Sequence, residues 1–304
     1  MIVIPPIPIT TSNLVSSTVA EPSPGEIAWN SATSYTVGQV VIRTTTHRKY
    51  ECQIAGVDAG LPESTPTRWL DVGPTNKWAM FDQNRNVQTV ATTSMTIEAM
   101  PGKRINSIAV VGVQASTVTI SMVVGSTTVY GPIVKNMNGR LTTTWSEYFF
   151  GAFEYTPSLV LTDLPPYSAA KIVVKLDNAA GLDVKCSAIV MGSKIYLGKT
   201  QYNASSDSLN FSKIERDEFG NSLLIPRRTV PKTNQTLWAD KNNTNTLRAV
   251  RTQLNAIPAL WSGLDENYDD DYFEAILIYG IYKQFEINLS NPSFTEVTLE
   301  LEEL

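Results

Sequence analysis

The stretch Ile27–Asp82 reads Trp29-x5-Tyr35-x2-Gly38-x2-Val41, then Tyr50-x-Cys52, then Pro66-x2-Trp69-x3-Gly73. It closes on Thr75-Asn76-Lys77-Trp78-Ala79-Met80-Phe81-Asp82. Rings at this spacing, with glycine turns between them and almost no regular apolar run, predict a very small β-module. So short a segment buries little surface, so a few large side chains must fill its centre. Trp29, Tyr35, Tyr50 and Trp69 are the expected module core. The closing run Thr75–Asp82 reads as a docking strap in which Trp78 and Phe81 pin the module to the next domain. Their i, i+3 spacing equally suits one helical turn.

Upstream, residues 1–26 hold five prolines (Pro5, Pro6, Pro8, Pro22, Pro24) among Ser and Thr. Proline fixes φ and removes a donor, so this arm is expected to be extended. It is also apolar at Ile2, Val3, Ile4, Ile7 and Ile9. Docking into a groove on a neighbouring subunit gives those side chains a place out of water, which makes Ile2, Ile4, Ile7 and Ile9 interface candidates.

Downstream, residues 83–200 read as short strands between turn signals: Ser94–Ala99, Ser107–Gln114, Thr117–Val124, Thr127–Tyr130, Glu147–Phe153, Ser158–Asp163, Ala170–Leu176 and Val184–Leu197. Val118, Ile120, Met122 and Val124 alternate with Thr117, Thr119, Ser121 and Val123, the period of a half-buried strand. Short strands at this spacing predict a β-sandwich, jelly-roll-like in form. Residues 201–240 are polar and irregular and read as a linker. In residues 241–304, Asn243–Asn255 reads as a helix with Leu247, Val250 and Leu254 on one face, capped by Thr244 or Asn245. Phe273–Phe285 and Phe294–Leu301 follow as strands, giving a small α+β domain with an exposed two-stranded edge. The fold class is therefore mainly β.

Only 17% of the 304 residues are charged, below the usual quarter or so, and the net charge is −5. This balance suits sheet surfaces and subunit contacts, and it argues against nucleic acid as a partner, which needs clustered Lys and Arg. Arg227, Arg228 and Lys232 form a small basic loop. No apolar run is long enough for a membrane span. The N-terminal residues lack a basic region and carry helix-breaking prolines, so no signal peptide is expected. Cys52 and Cys186 stand 134 positions apart with no CxxC partner, so no zinc site or redox pair is expected.

Acid–base and metal chemistry near neutral pH draw first on histidine. The chain has one, His47, between Thr46 and Arg48, and it reads as a surface residue of the module. No G-x-S-x-G, GxxxxGK[ST] or GxGxxG occurs. The acidic run Asp265–Asp271 lacks the glycine and distal glutamate of an EF-hand and reads as a solvated loop. No catalytic residues, cofactor or metal are expected, and the chain is read as a non-enzyme.

The module pattern resembles the small carbohydrate-binding module appended to bacterial chitinases, which implies a three-stranded fold. Chitin-binding members carry exposed aromatics just after the middle Tyr strand. Here that stretch is Glu51-Cys52-Gln53-Ile54-Ala55-Gly56-Val57-Asp58 and holds no ring, so the resemblance implies a structural spacer. A proline-bearing arm, this module and the Thr75–Asp82 run ahead of a β-rich domain resemble structural proteins of tailed bacteriophages. That implies a virion component, assembled in the host cytoplasm, that joins tail tube or baseplate to fibres or peripheral parts. Its expected partners are other virion proteins and further copies of itself in a homo-oligomer. The alternative is an adhesion protein of the virion that binds a host glycan.

Overall fold

The computed structural model describes residues 1–58, 60–82, 87–139, 144–151, 154–216, 218–264, 273–289 and 291–304. Strand accounts for 49% of the chain and helix for 10%, so the fold is mainly β. The chain forms two compact units. One comprises Pro8–Leu159 and Asp163–Ile189, the other Met1–Ile7, Val160–Thr162 and Val190–Leu304.

The first unit carries the module and a sandwich-like fold. In the module, strands Val40–Arg43, Arg48–Cys52 and Trp69–Pro74 form a three-stranded antiparallel sheet. Tyr35, Val41, Tyr50, Cys52 and Trp69 are buried together, with Trp29 packed against them. The Tyr35 and Trp69 rings meet edge to face at 5.2 Å.

The larger sheet of this unit runs Thr127–Asn136, Thr117–Val124, Lys171–Asp177, Ser94–Ala99, Leu14–Ser17. Its register stacks Val118, Leu176 and Met95 in one row, Ile120, Val174 and Ile97 in the next, and Met122, Ile172 and Ala99 in a third. All nine are buried. That is the payoff of the period-two alternation, since rows of one face fall together when the pairing is in register. Two expectations fail here. Glu147–Phe153, expected as a strand, starts within a helix, α1 (Trp145–Phe150), because Thr144 and Glu147 cap each other's backbone in a capping box. Val184–Leu197, expected as one strand after Ala170–Leu176, breaks into Asp183–Cys186, Ala188–Gly192 and Ile195–Tyr196, and none of the three pairs with Lys171–Asp177. Lys171–Asp177 already has partners on both edges, so Asp183–Cys186 pairs instead with Thr89–Thr92.

In the second unit one antiparallel sheet runs Ile195–Tyr196, Ile2–Ile4, Ala259–Ser262, Leu277–Asn288, Phe294–Glu303, Thr229–Asp240, Lys199–Thr200. Helix α2 (Thr244–Gln253) lays Leu247 and Val250, with Leu254 just beyond it, on a core of Val3, Leu237, Trp261, Phe285, Val297, Leu299 and Leu301. Gly280 allows the sheet to close, because a Cβ there would lie 2.0 Å from the Glu302 carbonyl oxygen.

The linker expected over 201–240 is instead sheet. Thr229–Asp240 is a twelve-residue strand between Phe294–Glu303 and the short strands Lys199–Thr200 and Ser205–Asn210, burying Val230, Thr233, Gln235, Leu237 and Ala239. Its inward face includes Thr and Gln, and this hides the alternation from a hydrophobicity reading. The expected exposed edge of Phe273–Phe285 and Phe294–Leu301 is covered on both sides, by Ala259–Ser262 and Thr229–Asp240. The arm is extended only in part. Ile2–Ile4 is a fully buried strand between Ile195–Tyr196 and Ala259–Ser262, and Leu14–Ser17 is an edge strand of the larger sheet in the first unit. The groove that receives the apolar N-terminal residues thus lies in this chain.

Candidate functional site

Three features stand apart from ordinary packing. The first is a projection of the second unit. After strand Ser205–Asn210, strands Lys213–Arg216 and Ser222–Ile225 pair, among the described residues, only with each other. Ile214 faces Leu224 across this ribbon, Glu215 faces Leu223, and Gly220 turns the chain at φ +82°. Phe211, Ile214, Phe219, Leu223 and Leu224 are all exposed, Phe219 at 89%. A lone two-stranded hairpin is marginal in water, and contiguous exposed apolar surface marks contact sites. Below the ribbon, Arg228 pairs with Glu303 at 3.2 Å and Lys232 with Glu300 at 2.6 Å. The basic loop is therefore largely neutralised by its own sheet.

The second is α1 in the first unit. It sits in an excursion whose base is the pairing of Asn138–Gly139 with Glu154–Tyr155. No residue of the helix is buried. Trp145 is 81% exposed and Phe150 85%, with Tyr148 and Phe149 also in solvent. The Trp145 and Phe149 rings stack at 6.2 Å.

The third is built around Glu21 in the first unit. This carboxylate, 6% exposed, accepts from His47 Nδ1 at 2.9 Å, from Thr75 Oγ1 at 2.7 Å and from Trp78 Nε1 at 3.0 Å. The imidazole stacks on Trp78 at 4.2 Å, and its Nε2 lies 3.0 Å from Thr11 Oγ1. His47 has a left-handed φ of 58°. Such a conformation in a non-glycine residue persists only when its surroundings hold it.

The interface candidates are dispersed. Ile2 and Ile4 are buried in the second unit, and Ile7 is half-buried there; Ile9 is half-buried in the first unit. Trp78 and Phe81 lie in one helical turn, with Phe81 N–H donating to Trp78 O at 3.0 Å, and Trp78 faces Glu21 and His47. Thr89 Oγ1 accepts from Met80 N at 3.0 Å and donates to Asn76 O at 2.7 Å, and a second residue that ties the strap to the sandwich strands is Asn76. Its Nδ2 donates to Val90 O at 2.9 Å and to Ser23 Oγ at 3.1 Å, and its Oδ1 accepts from Val90 N at 2.9 Å. Neither Asn76 nor Glu21 carries a sequence signal, since their partners lie 14 and 26 or more positions away.

The module turns its rings inward: Tyr35, Tyr50 and Trp69 are buried, and Arg43 covers Trp29 at 4.9 Å from the ring centroid while Glu63 holds the guanidinium at 3.1 Å. Its exposed large hydrophobic side chains, Ile27, Val37, Val40, Ile54, Val57, Leu61, Leu70 and Val72, are aliphatic. Among the described residues no group of His, Cys, Asp and Glu could hold a metal ion, and no helix is long and apolar enough to cross a membrane. The acidic run Asp265–Asp271 lies outside the described residues. Cys52 and Cys186 are buried free thiols, and burial pushes Cys186 up to about 12. Comparison with protein-family models, curated proteins and solved structures finds no match to this chain.

Proposed function

We propose that the chain is a structural component of a phage tail, joining tube or baseplate to fibres or peripheral parts through subunit interfaces. The observation that carries an interaction role is the ribbon Lys213–Ile225, exposed on both faces with Ile214, Leu223 and Leu224 in water. Each such side chain gains roughly 1.5–3 kcal/mol when removed from water, so a partner surface is where this ribbon becomes stable. The tail assignment itself rests on the order of arm, module and strap in the sequence. Its partners are other virion proteins and further copies of the chain.

Quantitative mass spectrometry of purified particles should find the protein at fixed stoichiometry in the tail fraction. A chain with Ile214→Asp and Leu224→Asp should fold as the wild type does, yet be left out of particles. Absence of the wild-type protein from particles would overturn the reading. The second reading, a host-glycan-binding protein of the virion, draws on α1, whose stacked and exposed rings offer flat faces of the kind that pack on sugars. Saturable binding on a glycan array, lost on Trp145→Ala, would favour it.

A further inference from the structure

The Glu21 cluster places a hydroxyl, an imidazole and a carboxylate in hydrogen-bonded series. Donor and acceptor roles along it follow from chemistry. Trp78 Nε1 can only donate, and a carboxylate bonded to three donors is an acceptor throughout, so Glu21 receives the Nδ1 proton of His47. With Nδ1 protonated, Nε2 of the neutral ring carries the lone pair, and the Thr11 hydroxyl 3.0 Å away must be the donor. Nucleophile, base and orienting group at these distances form the arrangement that activates a hydroxyl.

Around it is an open cleft of about 260 Å³. Ile9, Pro74, Trp78 and Phe81 form its apolar walls, and Arg48 and Asp82, 3.9 Å apart, stand at its rim. Thr11 is exposed there, whereas Glu21 is covered. The turn that presents Thr11 is held by Asn13 and Leu14, whose N–H groups donate to Thr10 O, and by Thr10 N, which donates to Asn13 Oδ1. Among the described residues none accepts from the Thr11 or Ser12 amide. Both residues are exposed, so these N–H groups are open to an incoming acceptor oxygen.

We propose that Thr11, His47 and Glu21 constitute an acyl-transfer site that hydrolyses esters of small carboxylic acids. Thr11 Oγ attacks the ester carbonyl carbon as its proton passes to His47 Nε2. The bond to the alcohol oxygen breaks, and the departing alcohol takes that proton from His47. Water then attacks the acyl-Thr11 ester, giving its proton to His47. The acid leaves, and the returning proton regenerates the Thr11 hydroxyl. Glu21 is a positioning residue, holding the ring in one tautomer and stabilising the imidazolium. The apolar walls of Ile9, Pro74, Trp78 and Phe81 suit the alkyl part of a short acyl group. This site is independent of the assembly reading. Sequence spacing hides the site, because Thr11 and Glu21 lie 36 and 26 positions from His47 in the N-terminal arm.

The test uses the purified full chain with p-nitrophenyl acetate and p-nitrophenyl butyrate. Release of p-nitrophenol above the buffer rate is expected, with an acetyl group mapped to Thr11 by peptide mass spectrometry. Thr11→Ala, at an exposed turn, should keep the wild-type melting temperature and lose both signals, and Thr11→Ser should retain them. His47→Gln should lower the rate about a hundredfold or more, the usual contribution of a general base. Glu21→Gln should lower kcat with KM unchanged. No adduct at Thr11, or Thr11→Ala turning over as fast as the wild type, would overturn the proposal and leave the cluster as a clamp between arm and module.

Discussion

Asn76→Asp exchanges one atom, yet the structure predicts a large effect. Asn76 Nδ2 donates to Val90 O and Ser23 Oγ while Oδ1 accepts from Val90 N, so the side chain completes the backbone pairing of strand Thr89–Thr92. Aspartate removes both donors and keeps the acceptor. Two hydrogen bonds at about 0.5–1.5 kcal/mol each are lost, and the Val90 carbonyl is left facing a carboxylate at a further cost of about 1–3 kcal/mol. The Asn76 backbone N–H donates to Glu26 Oε1 at 2.9 Å, so the new charge also meets an existing one. A total of roughly 2–6 kcal/mol follows. In a unit of this size each kcal/mol moves Tm by roughly 2–4 °C, so a fall of about 4–24 °C is expected. Urea unfolding followed by tryptophan fluorescence gives the free energy. Hydrogen exchange of the Val90 amide reports whether loss begins at this junction. A change under about 0.5 kcal/mol, the range of an ordinary surface substitution, would refute the assignment of Asn76 as the fastening between strap and sandwich.

Further outcomes follow from other sites. The Cys186 thiol is pushed up to about 12 by burial, so the unfolded chain loses this proton at lower pH than the folded one. Stability should therefore fall as pH rises above about 8.5, by up to about 1.4 kcal/mol per unit from this group. Urea titrations of Cys186→Ala against pH should be flatter than the wild type, and equal slopes would count against it. Gly280→Ala sets a methyl 2.0 Å from Glu302 O and should destabilise the second unit by roughly 3 kcal/mol or more, read by thermal melting. Trp69→Ala removes the largest buried ring of the module and should cost roughly 3–5 kcal/mol, with loss of the Tyr35 contact visible as local exchange in the module. Ile214→Ser with Leu224→Ser should leave the melting temperature of the isolated chain within about 1 °C, because both side chains are already in water; a larger fall would show the ribbon packs on its own chain.

What could be read from residues alone is what depends on near neighbours. The module core of Trp29, Tyr35, Tyr50 and Trp69 follows from ring spacing, because a small fold has few ways to bury large rings. Strands Ser94–Ala99 and Thr117–Val124 follow from strict alternation, and α2 from one apolar stripe. Thr229–Asp240 escaped because Thr233 and Gln235 occupy its inward face, and Glu147–Phe153 was misread because aromatic residues favour strands unless a capping box overrides them. Strand pairing was not legible: Ile2–Ile4 joins residues more than 190 positions away, and nothing local in an apolar arm says whether its groove is in another chain or its own. The Thr11–His47–Glu21 series and the Asn76 fastening were equally hidden. Each is a coincidence in space of single polar residues from segments that only tertiary packing brings within 3 Å or so of one another.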